Sequence, residues 1–196
     1  MPAPTRNAEA TKQRILEAAL EEFAQHGIAG ARVDRIARAA GCNKNLIYIY
    51  FASKDGVFAT VLERNLTRVY DELAFTPGDL PGYAARVFDF AMANPRLLRL
   101  MAWAALEREP GATPARAASQ AGKVAELAAA QEAGTLPDAV PPAALLTAVM
   151  ALATAWSAAS PFGPALDPAS ADDPAALREH VTALVARLAA PGAPEG

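Results

Sequence analysis

Cysteine is almost absent from this chain. Cys42 stands alone among 196 residues, so no internal disulfide can form and no thiolate cluster can hold a metal. Histidine is nearly as scarce. His26 and His180 lie on different predicted helices with no neighbouring carboxylate–histidine spacing, and both read as surface or capping residues. There is no Ser/His or Cys/His pairing and no glycine-rich phosphate loop, so a small helical enzyme lacks its chemistry, and no catalytic residue, cofactor or metal is expected. Acids outnumber bases, giving a net charge of −3. Such a chain does not coat nucleic acid all over, although one face remains able to touch it.

Alternating apolar patterns are missing as well, and almost every periodic stretch repeats at three and four residues, so no strand is expected. Residues 1–7 contain no apolar run of the kind a secretory leader needs, and with the single cysteine this points to a reduced, cytoplasmic setting. From Ala139 to Leu166 no residue is charged. The stretch is nevertheless rich in Ala, Thr and Ser, lacks Lys/Arg flanks, and is bounded by Pro141, Pro142 and Pro161. A spanning helix needs about 20 strongly apolar residues, so a buried bundle or interface helix is the better reading and no membrane is expected.

What is present is helix. The first should run from about Glu9 to His26, burying Ile15, Ala19, Leu20, Phe23 and Ala24, with Gly27 where a left-handed cap belongs. A short helix follows at Val33–Ala40 with Val33, Ile36, Ala37 and Ala40 inward, closed by Gly41. Asn43 is positioned to cap the next, which ends near Tyr50 and buries Ile47 and Phe51. Ser53 then caps a fourth helix over 54–74, whose inner face is Val57, Phe58, Val61, Leu62, Leu66, Val69, Tyr70 and Leu73. Residues 76–82 are rich in Pro and Gly and mark a boundary. Beyond them come predicted helices at 83–93, 95–109, 114–133, 142–159 and 174–189, several with proline in the first turn.

Chemistry concentrates between Arg32 and Lys54. Five basic residues (Arg32, Arg35, Arg38, Lys44, Lys54) face one acid, Asp34, a local charge of +4. Two short helices meet at Gly41, and the second carries Lys44, Asn45 and Tyr48 outward, with Tyr50 close behind. A short helix with a polar, basic and aromatic outer face, braced by another, is what reading a DNA major groove requires. Cys42 reads as a small filler at that turn.

The segments Ile15-Leu-Glu-Ala-Ala-Leu-Glu-Glu-Phe-Ala-Gln-His-Gly27 and Val33-Asp-Arg-Ile-Ala37, and above all Gly41-Cys-Asn-Lys-Asn-Leu-Ile-Tyr-Ile-Tyr-Phe-Ala-Ser-Lys54, resemble the TetR family of bacterial transcriptional repressors. The resemblance covers Thr11 to about Glu63 and implies roles for individual residues. Asn43, Lys44, Asn45 and Leu46 would touch base edges, and Tyr48 and Tyr50 the sugar-phosphate backbone. Lys54 would meet a phosphate, as would Arg32, where the family often has Ser or Thr. Two positions depart from the family pattern. Ile49 stands where an aromatic or polar residue is usual, which would remove a backbone contact. Leu46 stands where small residues are common, suiting a thymine methyl.

The resemblance further implies an all-α chain of about nine helices. A helix-turn-helix domain would occupy 9–54 (recognition helix about 43–50), a connecting helix 55–75, and a larger effector-binding and dimerisation domain 82–190. Phe88, Met92, Met101, Trp103 and Trp156 are as much core candidates as pocket candidates by composition; the resemblance favours a pocket for an apolar effector. Leu145, Val149, Leu152 and Trp156 line one side of the helix at 142–159, and Leu177, Val181, Leu184 and Leu188 one side of the last helix. The helix at 142–159 has little polar cover and must be buried on most sides, which a homodimer interface in a four-helix bundle satisfies. The expected function is a homodimeric repressor that binds a palindromic double-stranded operator and is released by a small molecule. The alternative is a DNA-binding protein on the same scaffold whose helical body binds a protein partner.

Overall fold

The computed structural model describes residues 6–107 and 114–190, except for the side chains at 6, 67–72, 114–116 and 171. The expectations for residues 1–5 and 108–109, and for the side chains of Val69 and Tyr70, lie outside the described residues. Among those described there are ten α-helices and no strand.

Helix α1 (Arg6–Gly30) is broken at Gly27, whose φ of 67° and ψ of −177° end the regular helix at His26. Glycine is required there, because a Cβ would collide with the Glu107 carboxylate and press on the Trp103 ring at 3.0 Å. Helix α2 (Val33–Ala39) buries Val33, Ile36 and Ala37, and α3 (Lys44–Phe51) buries Ile47 and Phe51. Helix α4 (Lys54–Glu72) opens on Ser53, whose Oγ accepts from the Gly56 N–H at 3.0 Å. Phe23 of α1 and Phe58 of α4, both fully buried, meet edge to face at 5.1 Å.

The described residues form two compact units, the first within Met1–Arg68 and Arg96–Gly111, the second within Val69–Pro95 and Ala112–Gly196. The first takes in α1–α3, most of α4, and α6 (Pro95–Glu107), whose Leu97 and Leu100 are buried. A segment some thirty residues beyond the helix-turn-helix pattern therefore belongs to the same body. In this unit the Trp103 indole donates to the Ala24 carbonyl at 3.3 Å, and Glu107 accepts from the Ala29 N–H at 2.7 Å.

In the second unit α5 (Leu80–Ala93) packs against α8 (Pro142–Thr154) and α10 (Pro174–Ala189), and α7 (Pro114–Glu132) packs against α8. Asp79 and Asp173 cap α5 and α10, each followed by a first-turn proline. The helix expected over 142–159 stops at Thr154, and the expected loop at 160–173 contains α9 (Gly163–Leu166) and a 3-10 turn at Pro168–Asp172. At 13 residues α8 is too short to span a bilayer, and no described helix is long and apolar enough to do so.

Candidate nucleic-acid interface

Helix α3 presents an outer face built by local rules. The Asn43 side chain accepts from the Asn45 N–H at 2.9 Å and starts the helix, while Gly41 (φ 62°) makes the turn that aims it. With Ile47 and Phe51 inward, Asn43, Asn45, Tyr48 and Ile49 are exposed, and Lys44, Leu46 and Tyr50 are half-buried. Tyr50 packs edge to face on Phe51 at 6.2 Å. The helix ends in a tight turn around Ala52, where φ is 62° and the Ser53 N–H donates to the Phe51 carbonyl at 2.7 Å.

The basic residues are not uniformly free. The Lys44 ammonium lies 2.9 Å from the nearer oxygen of Asp34 on α2, and that hydrogen bond raises its pKa above the ordinary lysine value. Lys54 donates to the carbonyls of Ala29 and Ala31, each at 3.3 Å, and so closes the end of α1. Arg32 is exposed at the N-cap of α2, and its own N–H donates to Glu22 at 2.8 Å. Nothing in the residue pattern marked Glu22 as a site. Buried on α1, its carboxylate also accepts from Arg35 Nε at 2.7 Å, with His26 at 3.9 Å. Burial pushes the Glu22 carboxyl up, but the Arg35 hydrogen bond, the Arg32 N–H and the charges of Arg35 and His26 together hold it below its ordinary value. One signal was available in the sequence: Glu22 shares a stripe with Ala19 and Phe23 that is otherwise apolar. Burial raises the pKa of the Cys42 thiol, with Arg14 opposing, which suits a packing role.

The five aromatic and methionine positions considered for a pocket do not belong to one unit. Met101 and Trp103 are in the first, where Trp103 packs on the end of α1. Phe88 is buried in the core of the second, Met92 is exposed on α5, and Trp156 packs against that core with an indole N–H that meets no acceptor. The second unit instead has an open cavity of about 360 Å³ lined by Leu73, Phe75, Ser119, Lys123 and Glu126, together with Ala74 and Gly122. Lys123 donates to the Tyr83 hydroxyl at 2.8 Å and lies 5.7 Å from the centre of the Phe75 ring.

The interface stripe also divides. Leu145, Val149, Leu177 and Val181 are buried within this one chain, and Leu152 and Trp156 are packed against them. Leu145, Val149, Leu177 and Val181 have their place in the core of this chain, while Leu152 and Trp156 stay partly exposed at its edge. Leu184 and Leu188 are exposed on α10, as is Met150 on α8.

A family model described as bacterial regulatory proteins, tetR family, matches residues 15–61, and one described as tetracyclin repressor-like, C-terminal domain, matches 79–187. The HTH-type transcriptional repressor SCO4008 of Streptomyces coelicolor is 43% identical over 159 residues, covering 80% of this chain and 82% of that protein. The crystal structure of the transcriptional regulator SCO4942, also from Streptomyces coelicolor, is 41% identical and superposes with a TM-score of 0.81 over 91% of this chain and 98% of that one. The fold is shared with FadR from Bacillus subtilis, solved in complex with stearoyl-CoA, at 16% identity and a TM-score of 0.65 over 91% of this chain and all of that one.

Proposed function

This chain belongs to the TetR family of transcriptional regulators, and from that premise we propose that it is a homodimeric repressor whose α3 helices read a palindromic operator. The outer face of α3 carries this reading. Asn43, Asn45 and Tyr48 stand exposed on a short capped helix whose opposite side is fixed by buried Ile47 and Phe51. In this reading Asn45 would meet a base edge, Tyr48 and Tyr50 the sugar-phosphate backbone, and Arg32, Lys44 and Lys54 phosphates. Two such helices would enter successive major grooves about 34–36 Å apart. Exposed Leu184 and Leu188 of α10 and Met150 of α8 supply the apolar surface for pairing two copies.

Release by a small molecule is the second half of the proposal. The cavity bounded by Leu73, Phe75 and Lys123 lies within the size range of small-molecule sites. A protein of the same fold, FadR, was solved with stearoyl-CoA. Effector binding would favour a dimer spaced wrongly for DNA, with α4 carrying the change between the two units. Coupling is reciprocal, so operator must weaken effector binding by the same factor.

Selection of duplexes from a random-sequence pool by the purified chain, followed by sedimentation with and without the recovered DNA, tests the reading. A palindromic consensus bound by a dimer is expected. Enrichment of no sequence would overturn DNA reading, and a monomer on a single half-site would overturn dimerisation.

A further inference from the structure

Ile49 is the residue on α3 for which packing gives no account. It is 73% exposed, although a β-branched side chain gains nothing for the helix it sits on. Its direction follows from helix geometry. Successive residues turn by about 100°, so buried Ile47 and Phe51 fix the inward direction, and Ile49 falls roughly opposite them. Asn45 lies one turn earlier on the same exposed side, and Tyr48, 42% exposed, lies to the flank. Leu46, the residue whose type first suggested an apolar base contact, is instead half-buried.

The outermost side chain of a helix in the major groove meets the floor of the groove. That floor presents hydrogen-bonding groups at every base pair and one apolar group, the C5 methyl of thymine. An isoleucine set against a carbonyl or amino edge would strip it of water and return no hydrogen bond. Set against the methyl, it buries apolar surface on both sides. Asn45 beside it can hydrogen-bond an adjacent base.

We propose that Ile49 is a specificity-determining residue that packs on the C5 methyl of a thymine in each operator half-site. This rests on the DNA-reading role of α3 proposed above. It differs from the role the family pattern gives this position, a contact to the DNA backbone, because a hydrocarbon has nothing to offer a phosphate.

The test uses the full chain and the duplex recovered by selection, with thymine replaced by deoxyuracil one position at a time. The replacement keeps every hydrogen-bonding group and removes only the methyl. At one position in each half-site uracil should weaken the wild type by roughly fourfold, the equivalent of one buried methyl. Ile49→Ala should bind the thymine and uracil duplexes alike, while Leu46→Ala should keep the discrimination. Repeating the selection with Ile49→Asn should replace thymine at that position in the consensus. An unchanged thermal transition for Ile49→Ala would show that the lost discrimination is not lost folding. The proposal is overturned if uracil has no effect at any position, or if Ile49→Ala discriminates as the wild type does. If the pool yields no consensus, the DNA-reading role fails, and this proposal with it.

Discussion

The Glu22 carboxylate on α1 and the Arg35 guanidinium on α2 meet at 2.6 Å, with Glu22 almost wholly buried and Arg35 about one-third exposed. The same carboxylate oxygen takes the Arg32 N–H at the start of α2, so one acid orients the helix that braces α3.

Replacing Glu22 removes this tie. Glu22→Gln should destabilise the protein by about 1–3 kcal/mol at neutral pH, less than for a fully buried pair because Arg35 is partly solvated. Since the folded-state carboxyl lies below its ordinary 4.5, its contribution is complete above that value and fades as pH falls through the lower folded value. Urea titrations at pH 7 and at progressively acidic pH should show the gap between wild type and variant closing. A constant gap would mean that ionisation is not the source.

Lys44 must leave Asp34 to meet a phosphate. Asp34→Asn removes a negative charge beside α3 and frees the ammonium. It should leave stability essentially unchanged, because the pair is exposed. DNA binding should tighten, with a salt dependence steeper by about one counterion. Fluorescence anisotropy at several salt concentrations would check both; unchanged affinity would place Lys44 away from the backbone.

Lys54 holds the end of α1 and is proposed to meet a phosphate as well. Lys54→Ala should weaken binding to every sequence by about 1 kcal/mol or more, with a shallower salt slope. It should also lower stability by roughly 1 kcal/mol through the carbonyls of Ala29 and Ala31. A variant that loses stability but binds DNA normally would leave Lys54 only the structural role.

Ala52 holds a positive φ of 62°, a conformation that disfavours any side chain. Ala52→Gly should relieve that strain and raise stability by about 0.5–1 kcal/mol after the entropy of the unfolded chain is counted. Calorimetry should find a higher Tm; a lower one would mean that the methyl group contributes packing that outweighs the strain.

Leu184 and Val181 separate surface from core on one helix. Leu184→Glu should yield a folded monomer, because the side chain is 41% exposed, whereas Val181→Glu should prevent folding by burying an unpaired charge. Sedimentation and circular dichroism distinguish the two. A Leu184→Glu variant that is still dimeric would remove α10 from the interface.

Much of the first unit was legible because its signals are local. Gly27 and Gly41 take positive φ, Asn43 and Ser53 accept from the N–H groups they were expected to cap, and Ile47 and Phe51 turn inward. The rest depends on partners distant in sequence. Nothing in Leu97, Leu100 or Trp103 says that α6 belongs with α1 rather than with the helices that follow it. Helix α8 is apolar on nearly every side, so its pattern does not say whether the face of Leu145 and Val149 meets this chain's own core or a partner. The stripe on α10 runs from Leu177 to Leu188, wide enough for Leu177, Val181 and Val185 to be core and for Leu184 and Leu188, on its flank, to be surface.

The sequence by itself determined most of the helices, though not α9 or the early end of α8, together with the turn that sets α3 and the family to which the chain belongs, because caps, glycine turns and apolar spacing act within a few residues. Only the tertiary structure decided which of those side chains remain available. It tied Lys54 to the end of α1, paired Lys44 with Asp34, buried Glu22, drew Leu145 and Val181 into the core, and left Ile49 outermost on α3. Availability is set by what the rest of the chain brings alongside, and residues far apart in sequence carry no local mark of that meeting.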